Sequence, residues 1–230
     1  MDQHHQEVAT EPNTKPNSKR DFNQRCKPIS VVVMDHRTDR KTLAQLMWLH
    51  RKVYKASNGK LKLRKPKSVL QHLQAGHKIV AANSVDSQII GFALLAFPEK
   101  PGATNIDEYR YDWVGPKEDC MAIQTVCVDP FHQGCGVTKL LFEKANEVAK
   151  TPEIGRKARR FLLAKISEDN SESRGAFASK EFIESTPDYV GNDTYRSVFV
   201  KREVWSTPVE IEAARKKQKI GSGKPAYPPC

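Results

Sequence analysis

The chain has 230 residues, an apolar fraction of 38% and a formal net charge of +11, which fits one domain with polar tails and a surface suited to anionic partners. Its five cysteines, Cys26, Cys120, Cys127, Cys135 and Cys230, form no CxxC pair, so neither a metal site nor a disulfide framework is expected and reduced thiols fit best. No apolar run reaches the roughly 18 residues that span a bilayer, and the polar start lacks a hydrophobic signal region, so the expectation is a cytoplasmic protein without a membrane anchor.

Residues 1–27 are rich in Gln, Asn, Pro, Lys and His and read as a disordered tail. The domain is expected over 28–205. Ile29–Asp35 is β-branched and reads as a strand. Thr38–Ala56 carries Leu43, Leu46, Met47, Leu49, Val53 and Tyr54 near helical spacing. A second helix is predicted over Lys67–Ala75, opened by Pro66 and closed by Gly76. Strands follow at Lys78–Ser84 and Gln88–Phe97, joined by a hairpin turn. Residues 98–117 read as a long loop. Cys120–Val128 is an apolar strand, Gly136–Lys150 an amphipathic helix, Phe161–Ser167 a strand, Asn170–Lys180 a helix and Tyr195–Val204 a last strand. Residues 206–230 form a basic tail, with a short helix possible after Thr207-Pro208. The pattern is α/β: a mixed, mostly antiparallel sheet of six or seven strands with helices on both faces.

The strongest local signal follows the strand at Cys120–Val128. Asp129-Pro130 ends that strand, because proline cannot donate to a ladder. Gln133, Gly134, Cys135, Gly136, Val137 and Thr138 then lead into a helix opened by Leu140 and Leu141. Two glycines allow backbone N–H groups to approach an anion, and the helix start adds unpaired donors and partial positive charge. A pyrophosphate suits such a loop. Neither GxGxxG nor GxxxxGK[ST] occurs, which argues against a dinucleotide fold and a P-loop NTPase.

On these residues the chain resembles the GNAT superfamily of acyl-CoA N-acyltransferases. Val128, Pro130, Gln133, Gly134, Gly136, Leu140 and Leu141 stand in the register of its central motif, with Thr138 where the family prefers Gly or Ala. A second segment aligns Asn170, Ser173, Phe177 and Phe182, with Phe177 in place of a Tyr and Glu181 in place of a Gly. The resemblance spans roughly residues 29–204 and implies a direct acetyl transfer from acetyl-CoA to a primary amine. It implies that the backbone of Val126, Cys127 and Val128 pairs with pantetheine, that Asn170 bonds the same arm, and that Phe177 lies beside the cofactor. Backbone N–H groups from Gln133 to Thr138 would hold the phosphates, Cys135 through its N–H, and His132, inside that loop, reads as a phosphate or ribose contact or as plainly exposed rather than as catalytic.

The proton-transfer groups are less determined by the resemblance. The family's acid is a Tyr, here Phe177, and Ser173 stands one turn earlier. Relatives that place histidines on the central strand have Ala122 and Gln124 as their counterparts here, and Gln124 can hold a water. Glu118 and Asp119 precede that strand as candidate carboxylates. Cys127 alternates with Val126 and Val128, which reads as packing. Residues 51–67 carry eight Lys or Arg and no acid. They read as a solvated basic face, as a wall for an acceptor with an anionic group, or as a phosphate contact for nucleic acid. An acyl-CoA-binding regulatory module without turnover, or a nucleic-acid-associated basic protein, are the alternatives to an enzyme. The acceptor would be recognised by loops near 55–66, 98–117 and 185–195.

Overall fold

A computed structural model describes residues 27–57, 61, 63–101, 117–151, 158–167, 169–184, 188–189 and 195–202. The expected tails, apart from Lys27, and most of the loops expected near 98–117 and 185–195 lie outside the described residues.

The chain order is β1 (Ser30–Met34), α1 (Arg40–Ala56), α2 (Pro66–Gln74), β2 (Lys78–Asn83), β3 (Ile89–Ala96), β4 (Cys120–Val128), α3 (Val137–Lys150), β5 (Phe161–Ser167), α4 (Ser171–Ala178), β6 (Ile183–Glu184), β7 (Asp188–Tyr189) and β8 (Tyr195–Arg202). The six strands expected from periodicity are present. β6 and β7 are two residues each, too short for any periodic signal. Asp39 sets the start of α1, two residues later than expected. Its carboxylate accepts from the Thr42 N–H at 2.9 Å and from the Thr42 hydroxyl at 2.7 Å, as an N-cap does.

The strands lie in one sheet in the order β1-β2-β3-β4-β5-β8, with β6 and β7 both on the outer edge of β8. Among the described residues β4 and β5 are the one parallel pair. Leu46 and Leu49 of α1 with Val69 and Leu73 of α2 cover one face, on Ile79, Phe92 and Leu94. Val137, Leu141 and Ala145 of α3 cover the other, on Val80, Ala93, Met121 and Leu162, and Phe177 of α4 joins them. The near-continuous apolar runs of the central strands β2 and β3, buried on both faces, thus become two apolar layers on a single sheet. No helix among the described residues is long and apolar enough to cross a membrane.

α2 carries a buried imidazole. His72 lies with its ring centroid 4.5 Å from that of His77, and its Nε2 is 3.4 Å from the Lys78 carbonyl. Burial, with His77 and Arg64 nearby, lowers its pKa from the usual 6.5 to about 4. The unfolded chain therefore takes up a proton below pH 6.5 that the folded protein refuses until about pH 4. This stabilisation is complete above pH 6.5 and is lost as pH falls towards 4. At 1.36 kcal/mol per pH unit it amounts to about 3 kcal/mol. Urea unfolding of the wild type and of His72→Leu at pH 7.5 and pH 4.5 checks it. The variant is expected to lose distinctly less stability across that interval than the wild type, and equal losses would refute the assignment.

Candidate functional site

The centre of the molecule is the lower half of β4. Its parallel pairing with β5 runs from Cys120↔Phe161 to Ile123↔Ala164. β4 continues to Val128 and β5 to Ser167, but the two strands pair no further. The other edge of β4 stays on β3 down to Gly91↔Val128. A cleft therefore opens beside Gln124–Val128, with backbone N–H and C=O groups on its β4 wall.

A β-bulge marks the place where the strands part. Leu94 pairs with Thr125 and Leu95 with Ile123, so Gln124 is an extra residue in β4. Met121, Ile123, Val126 and Val128 pack towards α3, and Cys127 packs towards α1. Gln124 and Thr125, although adjacent, both reach one partner from the α1–α2 link. Arg64 donates from Nη2 to Gln124 Oε1 and from Nε to Thr125 Oγ1, each at 3.2 Å.

The loop below β4 is built as a string of turns. Asp129 N–H donates to the Ile90 carbonyl at 2.8 Å, and Pro130–His132 forms one 3-10 turn. The Asp129 carboxylate accepts from the Phe131 N–H at 2.9 Å, and Lys52 Nζ of α1 lies 2.9 Å from both its oxygens. Lys52 belongs to the basic stretch, so one of those charges is a strut rather than a solvated surface group. Gly134 and Gly136 have φ of +82° and +76°. A side chain there would meet open space, so the backbone conformation, which costs other L-residues about 1–2 kcal/mol, calls for glycine.

The N–H groups of Val137, Thr138 and Lys139 come before the first intrahelical bond, Leu140 N–H to the Gly136 carbonyl at 3.1 Å. Gly136 supplies no side-chain cap. These donors, at the positive end of a 14-residue helix, fit an oxygen-rich anion. Cys135 corrects its expected part: its N–H bonds the His132 carbonyl at 3.3 Å and so serves the turn. Cys135 is also disulfide-bonded, against the expectation of reduced thiols throughout.

Gly91 on β3 positions the whole arrangement and was not singled out from sequence. A Cβ on it would stand 2.5 Å from Val137 Cγ1 and 3.2 Å from the Cys127 carbonyl oxygen. The bare backbone lets the start of α3 sit directly on the sheet. A glycine inside an apolar strand is the signal that could have found it.

The remaining expected residues fall in separate places. Asn170 caps α4, and its Oδ1 accepts from the Ser173 N–H at 3.1 Å, which leaves its NH2 group as what it offers a ligand. Phe177 is buried in an aromatic cluster, with its ring centroid 4.7 Å from that of Phe142 and 4.9 Å from that of Phe182. Its role there is packing, consistent with its lack of a hydroxyl. Glu181 has φ of +66°, which accounts for a glycine preference at its position. Glu118 and Asp119 precede β4. Five residues of strand, about 16 Å, separate Asp119 from Gln124. Burial pushes the Cys127 thiol up to about 12, with Arg64 pulling the other way, so at neutral pH it is a packed thiol and not a nucleophile. A separate concavity of about 790 Å³, lined by Trp48, Lys52, Ile90, Asp129, Phe131 and His132 among others, lies on the α1 side of the loop.

Comparison with known proteins is consistent with this geometry. Residues 43–182 match the model of the Acetyltransferase (GNAT) family. No curated protein matches the chain. Among solved structures, Arabidopsis thaliana NAA60 in complex with acetyl-CoA is 16% identical, with a TM-score of 0.53 over 76% of this chain and 99% of that one. The Salmonella typhimurium protein yncA with its cofactor acetyl-CoA is 14% identical, with a TM-score of 0.53 over 77% and 96%. Ribosomal-protein-alanine N-acetyltransferase from Brucella melitensis is 17% identical, with a TM-score of 0.52 over 74% and 99%. At these identities the likeness is one of fold.

Proposed function

This chain belongs to the GNAT family of acetyltransferases, and from that premise we propose that residues 28–205 move an acetyl group from acetyl-CoA to a primary amine by direct attack. The observation that carries the reading is the parting of β4 from β5 immediately before a loop whose glycines and uncapped helix start suit a pyrophosphate. The N–H groups of Val137 and Thr138 would bind the phosphates, with Gln133, Gly134 and Gly136 shaping the loop. The free edge at Val126, Cys127 and Val128 would take pantetheine as a strand takes a neighbour, and the Asn170 NH2 group would donate to one of its carbonyls.

The thioester supplies an activated acyl carbon. The protein's share is to hold the amine against it and to offer an N–H to the carbonyl oxygen as charge builds there. The bulge at Gln124 turns backbone out of the ladder at the mouth of the cleft, which suits that donor. With Cys127 protonated and packed, no acyl-enzyme is called for. Steady-state kinetics with acetyl-CoA and an amine panel, following free thiol release, tests the proposal. Intersecting double-reciprocal lines are expected, with no labelled protein after incubation with labelled acetyl-CoA alone. Parallel lines with a labelled enzyme would refute direct attack, and no thiol release from any amine would refute transfer.

A further inference from the structure

Cys135 is disulfide-bonded, while Cys120 and Cys127 are free and buried. Of the five cysteines, that leaves Cys26 and Cys230 as its partner. The sheet decides between them. The chain leaves β8 at Arg202, which stands opposite Phe161, and Phe161 stands opposite Cys120. That exit is level with the start of β4, about 26 Å of strand from its end at Val128. β1 begins at the other end. Ser30 pairs with Asn83 and Asn83 with Ile89, next but one to Gly91, the partner of Val128. Three strand spacings, about 14 Å, separate β1 from β4, and the chain from Ser30 back to Cys26 can span about that distance. Lys27 lines the same concavity as Phe131 and His132, and Ile29 packs on the same apolar cluster as Cys135.

Resting on the coenzyme A reading above, we infer that Cys26 is the partner of Cys135 and that this bond is a redox switch on the phosphate loop, the oxidised protein being the tighter binder. Cys135 stands between Gly134 and Gly136, at φ of +82° and +76°, the stretch of the loop with the most conformational freedom. Its side chain packs towards the sheet, so the bond ties the loop down from that side. A tie there removes conformations that the loop otherwise gives up on binding a ligand. It also draws Arg25 and Lys27, the cations on either side of Cys26, towards a site read as holding phosphates. Reduction is a two-electron exchange. A dithiol attacks one sulfur, passes its two protons to Cys26 and Cys135, and is itself oxidised to a cyclic disulfide. A low-molecular-weight disulfide reverses the step, taking up the two protons and leaving as two thiols.

Two measurements on the full chain test this. After equilibration with glutathione disulfide and alkylation, an unreduced digest is expected to yield a cross-linked peptide pair containing Cys26 and Cys135. A pair containing Cys135 and Cys230, or no pair, overturns the inference. The second measurement is titration with S-ethyl coenzyme A, a thioether that cannot itself exchange with the disulfide. The oxidised wild type is expected to bind it about fivefold more tightly than the protein reduced with dithiothreitol. Cys26→Ser should bind like the reduced wild type in both buffers, and Cys230→Ser should keep the full redox response. Equal affinity in the two states, tighter binding on reduction, or a redox response that survives in Cys26→Ser overturns the switch while leaving coenzyme A binding intact. Binding in neither state overturns the coenzyme A reading and the switch with it.

Discussion

Gly91→Val is expected to lower coenzyme A affinity by tenfold or more and to destabilise the fold by about 1–3 kcal/mol, the usual range for an overfilled core. The cause is local. The smallest side chain at this position already stands 2.5 Å from Val137 Cγ1, and the Cys127 carbonyl blocks retreat at 3.2 Å. α3 must lift at its first turn, and that turn carries the donors read here as the phosphate site. The effect should be conditional on Val137. Gly91→Ala combined with Val137→Ala is expected to recover much of the affinity that Gly91→Ala alone loses, a coupling that contacting residues show and distant ones do not. Isothermal titration with coenzyme A and urea unfolding of the four proteins in this cycle measure both terms. Additive losses would show that the contact does not hold the loop.

The second large effect is expected from Arg159→Met, at the opposite end of β4. Arg159 is 5% exposed, its Nη2 meets Glu99 Oε1 at 2.5 Å, and its Nη1 donates to the Glu118 carbonyl. The guanidinium carbon also lies 5.0 Å from the Phe97 ring centroid. Removing one member of a buried ion pair leaves a desolvated charge, which typically costs about 3–5 kcal/mol. For a domain of this size that corresponds to a fall in Tm of about 10 °C. Replacing both partners, as in Arg159→Met with Glu99→Leu, should recover most of the loss, because two apolar groups of similar volume leave no stranded charge. Calorimetric melting of the wild type and both variants decides it. A double variant as unstable as the single one would show that Arg159 stabilises through contacts other than Glu99.

Much of this architecture was readable in the sequence because its signals are local. Pro130, Gly134 and Gly136 sit next to an apolar strand and at a helix start, so the loop declares itself within ten residues. The six longer strands and the four helices follow from their own periodicity. What was not readable depends on contacts across the chain. Lys52 and Asp129 are 77 positions apart, and nothing near either residue names the other, so Lys52 read as part of a basic face. Arg64 was hidden in the same stretch for the same reason. Phe177 could be matched to a motif, but its burial among Phe142 and Phe182 comes from how α4 lies on α3. Glu181 was noticed as a departure from the family, and its positive φ gives that departure a physical meaning.

The bulge was not anticipated, although the adjacent polar pair Gln124-Thr125 between Ile123 and Val126 breaks the alternation of a regular strand. Its effect is one of parity. Above Gln124, even-numbered residues of β4 turn away from α3. Below it, odd-numbered Cys127 does so, while Val126 and Val128 have crossed over. A regular ladder through these same residues, without the bulge, would leave every nearby side chain chemically unchanged yet exchange the two faces of the strand below it. It would place the Cys127 side chain against α3 and two valines under α1. In β4, counting by twos across position 124 leads to the wrong face.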